Sequence, residues 1–220
     1  STVIPGMDNV PSEDIKDHVK NAELVNKHAA DNAHISQDQV ATIAWMYDTP
    51  QGGQVVSSKY ATKASHEIGS ALEGMHAFRH TNGIERAHTS LLGHSYGSTT
   101  AGKVAKMVRK GVLDDLVMYG SPGAGAHDAR EYNLDHGRPY VSGIKSDDAV
   151  KGKGTLNSKF GNNPMFMPGV KHLANNSERD RSFFIPWKMF DRHSEYLEEG
   201  TSSLEDISRV VTNVPVKGEK

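Results

Sequence analysis

At residues 91–101 the chain reads LLGHSYGSTTA, and this stretch decides the fold because it contains the pattern Gly-x-Ser-x-Gly. It continues a β-rich run over residues 87–92 and is followed by apolar residues at helical spacing. Where a strand turns sharply into a helix at a serine, only small residues fit two positions before and two positions after that serine. Gly93 and Gly97 occupy these positions. The stretch therefore predicts a strand, a sharp turn at Ser95 and a helix.

The rest of the chain alternates short β-rich runs with longer helical patterns, which is typical of βαβ units around a parallel sheet. The runs that predict strands are residues 2–4, 40–47, 87–92, 113–119 and 140–144. The patterns that predict helices are residues 11–32, 59–80, the residues that follow Ser95, and 202–211. We therefore expect an α/β fold with a mainly parallel central sheet of about five to six strands, flanked by helices and without a large lid domain.

Length and composition favour a single domain. The 220 residues suffice for one domain with a sizeable core, so we expect one domain over residues 1–220. Within it we expect an irregular excursion at about 151–182 and a flexible tail at about 214–220. With 25 Lys and Arg against 27 Asp and Glu, the net charge of −2 offers no broad footprint for nucleic acid. Cysteine is absent, which excludes disulfides and thiol nucleophiles.

No transmembrane segment is expected, because no apolar run is long enough to cross a bilayer core of about 30 Å. The first residues do not show the charged and then apolar pattern of a signal peptide, so none is expected within this stretch. We expect a soluble protein, either cytoplasmic or secreted with an export signal that is missing from this chain. No feature of the sequence predicts an oligomeric state.

Ser95 has the sequence setting of a catalytic nucleophile. A serine hydroxyl is a weak nucleophile at neutral pH, so it needs a tight turn, a neighbouring base and donors for an oxyanion. In the α/β-hydrolase fold the acid and then the base follow the nucleophile along the chain. Asp147 and Asp148 lie just past the strand predicted at residues 140–144. We prefer Asp148 as the acid, because Asp-x-Val is similar to the post-strand acid of many lipases.

The base has several candidates, since the chain contains 12 histidines. His193 lies late in the chain, just before the last predicted helix, which suits a histidine carried by a loop. His127 and His172 are the alternatives. The residue pattern alone leaves the choice open.

Two backbone amides are candidates for stabilising an oxyanion. The α/β-hydrolase fold uses the amide after the nucleophile and a second amide from the loop after an early strand. The first is the amide of Tyr96. For the second we choose the amide of Met7, because the predicted strand 2–4 runs into the turn Pro5-Gly6, and Asp8 is the neighbour to check. The alternative interpretation is that Pro5-Gly6 is only a turn.

Four segments resemble one actinobacterial α/β-hydrolase family, the domain of unknown function DUF1023. They are GHSYGSTTAG at residues 93–102, GSPG at 120–123, residues 3–7, and residues 45–50, which are similar to the family segment Trp-x-x-Tyr-Asp-x-Pro. The family usually has Trp-x-Gly-Tyr-Asp, and this chain lacks the Gly and one residue there. The resemblance implies an α/β-hydrolase fold, Ser95 as nucleophile, an acid within residues 146–150, and His193 as the base in preference to its alternatives.

Together these features predict a serine hydrolase that acts on carboxylic esters, esterase- or lipase-like, through a triad of Ser95, His193 and Asp148 and an acyl-enzyme. Its expected partner is a small-molecule or lipid-like ester, and no metal or organic cofactor is implied. The same triad also serves an acyltransferase or an amidase. The fold by itself also suits a catalytically idle binding module. The natural substrate and its acyl chain length are left open.

Overall fold

A computed structural model of the chain describes residues 1–135, 137–143, 157–175 and 195–218. The strands are β1 Thr2–Ile4, β2 Ile43–Ala44, β3 Ser90–His94, β4 Asp115–Tyr119, β5 Pro139–Ser142 and β6 Lys171–His172. They form one six-stranded sheet in the order β2-β1-β3-β4-β5-β6, and every neighbouring pair is parallel. The expected α/β fold with its parallel sheet is confirmed.

Helices connect and cover the strands. The α-helices are α1 Pro11–Ala33, α2 Lys59–Thr81, α3 Tyr96–Met107, α4 Asn157–Phe160 and α5 Ser202–Val211. Short 3₁₀ turns lie at Gln37–Gln39, Gly52–Val56, Ala129–Glu131 and Pro164–Phe166. Among the helices of the described residues, none combines the length and the apolar composition that a membrane span requires. The described ranges also contain no separate lid domain.

The sheet is covered by helices on both faces. Leu91 points to the face on which α2 and α3 pack, whereas Leu92 points to the face on which α1 and α5 pack. Both leucines are completely buried. Because side chains alternate along a strand, a parallel strand covered on both faces is apolar throughout. The run Leu91-Leu92 meets this requirement, and it leads directly to the turn at Ser95.

The strand order creates a crevice at the carboxyl ends of β1 and β3. After β1 the chain passes through α1 to β2 on one side, and it later returns to β3 on the other side of β1. The helices that follow β1 and β3 consequently lie on opposite faces of the sheet. In open parallel sheets such a switch point is the place where ligands bind. Pro5-Gly6 and Ser95 follow these two strands.

The structure corrects the sequence-based strand boundaries. The strand predicted at residues 40–47 forms only over Ile43–Ala44, because β2 is an edge strand paired with β1 alone and Val40 ends the preceding 3₁₀ turn. β6 lies in the segment predicted to be irregular. Residues 157–175 of that segment also contain α4 and a 3₁₀ turn, and its parts at 151–156 and 176–182 lie outside the described residues.

Candidate active site

Ser95 lies at the turn between β3 and α3 in a conformation that is rare for a residue with a side chain. Its φ is 50° and its ψ is −126°. Such a conformation costs about 1–3 kcal/mol, which the surrounding structure has to offset. The Ser95 N–H donates to the carbonyl of Tyr119 at 2.9 Å, at the end of β4. The neighbouring strand therefore helps to hold the strained turn.

The glycines on either side of Ser95 allow the backbone segments around it to approach closely. A Cβ added to Gly93 would lie 2.6 Å from the carbonyl oxygen of Gly97 and 2.7 Å from Ser98 Cα. A Cβ added to Gly97 would lie 2.3 Å from the carbonyl oxygen of Pro5. Because these neighbours are backbone atoms, they cannot move aside as the end of a side chain can. The Gly-x-Ser-x-Gly spacing is thus explained by the packing of α3 against β3 and the end of β1.

The turn after β1 lies directly beside Ser95. A Cβ added to Gly6 would lie 2.9 Å from Ser95 Cβ and 3.4 Å from Ser95 Oγ. The Met7 N–H finds no hydrogen-bond acceptor within the described ranges. Tyr96 is the first residue of α3, so its amide has no partner inside that helix. The structure thus brings Ser95 together with the two segments whose amides are the candidates for binding an oxyanion.

Hydrogen bonds fasten the turn after β1 to the loop after β2. The Asp8 N–H donates to the Pro50 carbonyl at 3.0 Å, and Asp8 Oδ1 accepts from the Gly52 N–H at 2.7 Å. The Asn9 N–H donates to Thr49 Oγ1 at 3.0 Å, and this hydroxyl donates to the Asn9 carbonyl at 2.8 Å. Sequence reasoning singled out Asp8 but missed Asn9 and Thr49. Asn in a Gly-containing turn was the available signal.

Two tyrosine side chains form hydrogen bonds that stabilise the region around Ser95. Tyr96 Oη accepts from the Ala61 N–H at 3.2 Å and donates to the Ser57 carbonyl at 2.5 Å, which joins the start of α3 to the start of α2. Tyr47 Oη lies 3.3 Å from Thr100 Oγ1. Burial raises the pKa of Tyr96 and of Tyr47. Both side chains are therefore neutral and retain the proton that they donate.

The segment after β4 supports the first turn of α3. Ser98 Oγ lies 2.6 Å from the Ser95 carbonyl oxygen and 2.6 Å from Ser121 Oγ. Thr99 Oγ1 donates to the Gly123 carbonyl at 2.8 Å. All five residues that make these bonds are buried. The GSPG stretch at 120–123 therefore has a structural role in holding the turn that carries Ser95.

Two cavities in the described structure lie at opposite ends of the strands, one at their amino ends and one at their carboxyl ends. The larger, of about 850 Å³, is bordered by residues that precede strands, such as Ser1 and Thr89. The smaller, of about 60 Å³, lies at the carboxyl ends of the strands beside Ser95. Its lining residues are Pro5, Gly6, Asn9, His18, Asn21, His94, Tyr119 and Leu197. Because parallel sheets bind ligands at the carboxyl ends of their strands, the smaller cavity is the one that belongs to the candidate site.

Two histidines border the smaller cavity. The His94 ring stacks on Tyr119 with the centroids 5.1 Å apart and the planes inclined by 22°. His18 is buried, and its Nε2 lies 3.0 Å from the Val3 carbonyl oxygen. Burial lowers the pKa of His18, although hydrogen bonds to the backbone of Val3 and Trp45 oppose this effect. His18 is therefore neutral near pH 7 and serves as a structural link between α1 and β1.

The predicted acid and base lie in two segments of the chain that the structure does not describe. Asp147, Asp148 and His193 lie outside the described residues. Of the alternative bases, His127 is exposed and its Nδ1 lies 3.3 Å from Asn162 Oδ1, and His172 is exposed on β6. The triad proposed from the sequence is thus represented in the described structure by Ser95 alone.

The chain contributes to the candidate site again shortly after His193. The Tyr196 ring lies 6.0 Å from the His94 ring and 5.7 Å from the Tyr119 ring, measured between centroids. Leu197 lines the smaller cavity. Both residues are buried, at 1% and 4% exposure respectively. The residues that follow the predicted base are therefore packed against the residue that precedes Ser95.

Comparison with known proteins gives relatives from one genus. The chain is similar to the uncharacterized protein Rv0963c of Mycobacterium tuberculosis, with 28% identity over 180 residues, which is 78% of this chain and 65% of that protein. It is also similar to the uncharacterized protein Rv2079 of the same organism, with 34% identity over 151 residues, 64% of this chain and 22% of that protein. The chain thus spans less than two thirds of the length of these relatives. No solved structure gives a significant match.

The parallel sheet, the strained serine between β3 and α3, and the glycines that permit it all agree with one family assignment. Residues 1–158 match a family described as alpha/beta hydrolase, and this range includes β1 to β5 and the turn at Ser95. A match over this much of the 220 residues shows membership. The chain therefore belongs to this alpha/beta hydrolase family.

Proposed function

We propose that the protein is a serine hydrolase that cleaves carboxylic esters through an acyl-enzyme formed on Ser95. The observation that carries this proposal is the position of Ser95, which occupies a strained turn at the switch point of the sheet with the Gly6 turn beside it. Strained residues of this kind cluster at functional sites. A tight-turn serine with no chemical role would not need an adjacent turn whose Met7 amide has no acceptor among the described residues.

In the proposed mechanism, His193 accepts the proton of the Ser95 hydroxyl while Oγ attacks the ester carbonyl. The amides of Tyr96 and Met7 stabilise the oxyanion of the tetrahedral intermediate, which collapses as His193 returns the proton to the departing alcohol. Water, activated by the same histidine, then releases the carboxylic acid and frees Ser95. Asp148 holds the histidine tautomer that this proton transfer requires.

The assignment of the acid and the base draws support from the parts of the chain that surround them. β5 ends at Ser142, on the same edge of the sheet as Ser95, and the Asp147-Asp148 pair follows it. Tyr196 and Leu197, which come soon after His193, pack beside the candidate site. In this fold the acid and base are carried by loops at that edge.

Covalent labelling tests the proposal. A fluorophosphonate probe should label the wild-type protein, and Ser95→Ala should abolish both labelling and the hydrolysis of nitrophenyl esters. His193→Ala should have nearly the same effect, because the nucleophile and the base act as a unit. Ser65→Ala is the control for a lost buried hydroxyl, because Ser65 Oγ donates to the Thr62 carbonyl within its own helix α2, and this variant should retain labelling. A wild-type protein that resists the probe would argue instead for a binding module without catalysis.

The acid is identified by comparing two neighbouring variants. Asp148→Asn should lower kcat on the order of a thousandfold or more, because the histidine then loses its orienting partner. Asp147→Asn should leave kcat within about threefold of the wild type. The opposite ranking would make Asp147 the acid while leaving Ser95 and His193 in their proposed roles. A chain-length series of nitrophenyl esters would define the preferred acyl group.

A further inference from the structure

We infer that Asn9 is a positioning residue that aims the Met7 amide at the oxyanion formed on Ser95. This inference rests on the proposed function and assigns a role to a side chain that does not itself contact the reacting atoms. Asn9 Nδ2 donates to the Met7 carbonyl at 2.8 Å and lies 3.3 Å from the Gly6 carbonyl oxygen. One side-chain amide therefore holds the two carbonyls of the turn beside Ser95.

The bond to Gly6 bears directly on the Met7 amide. The carbonyl of Gly6 and the N–H of Met7 belong to the same planar peptide group and point in opposite directions. Any group that fixes the direction of the carbonyl consequently fixes the direction of the N–H. Asn9 thereby controls a donor that has no other partner in the described part of the chain.

Gly6 makes such a restraint necessary. A Cβ at this position would lie 2.9 Å from Ser95 Cβ, so the close approach requires glycine. Glycine, however, adopts many backbone conformations, and the peptide group that follows it can rotate unless something holds it. An oxyanion donor is effective only when its direction is fixed before the reaction. Asn9 supplies the restraint that the missing side chain of Gly6 cannot.

Asn9 is itself fixed from the far side of the turn. Its N–H donates to Thr49 Oγ1 at 3.0 Å, and that hydroxyl donates back to the Asn9 carbonyl at 2.8 Å. Thr49 is 4% exposed. The backbone of Asn9 is thus held by a buried hydroxyl, and this leaves the side-chain amide free to point toward the two carbonyls.

The substitution Asn9→Asp tests the inference, because it keeps the shape of the side chain but replaces the donating NH₂ with an oxygen. Asn133→Asp is the matched control. Asn133 Nδ2 likewise donates to two carbonyls, those of Lys106 at 2.8 Å and Val108 at 3.0 Å, at the opposite end of α3. Both variants lose two hydrogen bonds of one kind and gain one negative charge.

The measurements are kcat and KM for a nitrophenyl ester, together with the melting temperature of each variant. We expect Asn9→Asp to lower kcat by about 10- to 100-fold and to change KM by less than about threefold, since the lost interaction forms only in the transition state. Asn133→Asp should lower the melting temperature without lowering kcat. A general loss of stability would not be expected to lower kcat in Asn9→Asp alone while leaving KM nearly unchanged.

The possible outcomes separate this inference from the proposed function. If the wild type hydrolyses esters and Asn9→Asp retains full kcat, the positioning role is wrong and the serine hydrolase remains. If Asn9→Asp and Asn133→Asp lower kcat equally, the effect is structural and the positioning role is again wrong. If the wild type neither hydrolyses esters nor reacts with the fluorophosphonate, the proposed function fails and the inference fails with it.

Discussion

At the scale of single residues, the close contact between Gly97 and the end of β1 predicts a large penalty for one added methyl group. A Cβ at Gly97 would lie 2.3 Å from the Pro5 carbonyl oxygen and 2.7 Å from the Ile4 carbonyl oxygen. Because both atoms belong to buried backbone, Gly97→Ala should lower the free energy of unfolding by about 3 kcal/mol. Urea unfolding measures this change, and fluorophosphonate labelling should fall as the turn at Ser95 shifts.

Gly74 offers a control of the same chemistry at an open position. It lies within α2, is exposed, and an added Cβ would meet nothing within 4 Å. Since glycine is less favourable than alanine inside a helix, Gly74→Ala should raise the free energy of unfolding by about 0.5–1 kcal/mol. Equal effects of the two substitutions would contradict the role assigned to the Gly97 contact.

At the scale of secondary-structure elements, the Tyr96 hydroxyl acts as a remote cap for α2. The N-cap residue of α2, Ser58, makes no side-chain capping bond. The Tyr96 hydroxyl instead accepts from the Ala61 N–H in the first turn of α2 and donates to the Ser57 carbonyl. The first turns of α2 and α3 are therefore joined through one side chain, which comes from the residue next to the candidate nucleophile.

The substitution Tyr96→Phe tests how much this connection stabilises the protein. The substitution leaves the buried Ala61 N–H and the half-buried Ser57 carbonyl without the Tyr96 hydroxyl, at a cost of about 1–3 kcal/mol in the free energy of unfolding. Hydrogen exchange of the Ala61 amide should accelerate more than exchange in the last turn of α2. Tyr60→Phe is the control, because the Tyr60 hydroxyl makes no hydrogen bond within the described residues and should change stability by less than about 0.5 kcal/mol. If exchange in Tyr96→Phe accelerated equally in the first and last turns of α2, the Tyr96 hydroxyl would not be a cap of this helix.

Elements with a strong local signal could be predicted from the sequence. The helices α1, α2 and α5 were predicted within a residue or so of their observed ends, because their apolar residues recur at helical spacing over several turns. The bounds predicted for β2 were too wide and β6 was not predicted, because each contains only two residues and depends on pairing with a neighbour. Local sequence does not encode such pairing.

The residues of the candidate site likewise divide into those that the sequence predicts and those that only the structure reveals. Ser95 and its flanking glycines form a contiguous motif, so the sequence predicts them. The bonds that join Asn9 to Thr49 connect residues 40 positions apart, which a linear pattern cannot reveal. The link between Tyr96 and Ala61 likewise depends on the packing of α2 against α3. Asp148 and His193 remain predictions from the sequence and the family resemblance.

At the scale of the whole molecule, a network of ion pairs lies at the amino ends of the strands, opposite the end that carries Ser95. His88 Nε2 lies 2.7 Å from Asp115 Oδ2, and His88 Nδ1 lies 3.7 Å from Asp114 Oδ2. Arg86 pairs with Asp114 at 2.7 Å and with Asp135 at 3.5 Å. These groups lie just before or at the first residue of β3, β4 and β5, so they join the amino ends of three neighbouring strands. The chemistry proposed for Ser95 is therefore separated from the charge network by the length of the sheet.

This network predicts how stability depends on pH. Burial acts to lower the pKa of His88, but the hydrogen bond to Asp115, the charges of Asp115 and Asp114 and the Val210 carbonyl outweigh it and raise the pKa. A raised folded-state pKa means that the contribution of His88 to stability is complete below the unfolded-state pKa of about 6.5 and is lost as pH rises through the higher folded-state value. The wild type should therefore lose stability relative to His88→Gln as the pH rises above about 6.5.

Urea unfolding of both proteins between about pH 6 and pH 9 measures the difference, and the difference is the quantity that isolates His88. His18 and the Ser1 amine, whose pKa values burial lowers, give slopes of the opposite sign. Both groups are present in the two proteins, so their contributions cancel. Gln can still donate a hydrogen bond to Asp115 but cannot carry the positive charge. If the unfolding free energy of the wild type minus that of His88→Gln stays constant from pH 6 to pH 9, His88 is not the titrating group. If this difference decreases with pH, the titrating charge is that of His88, at the amino ends of the strands opposite Ser95.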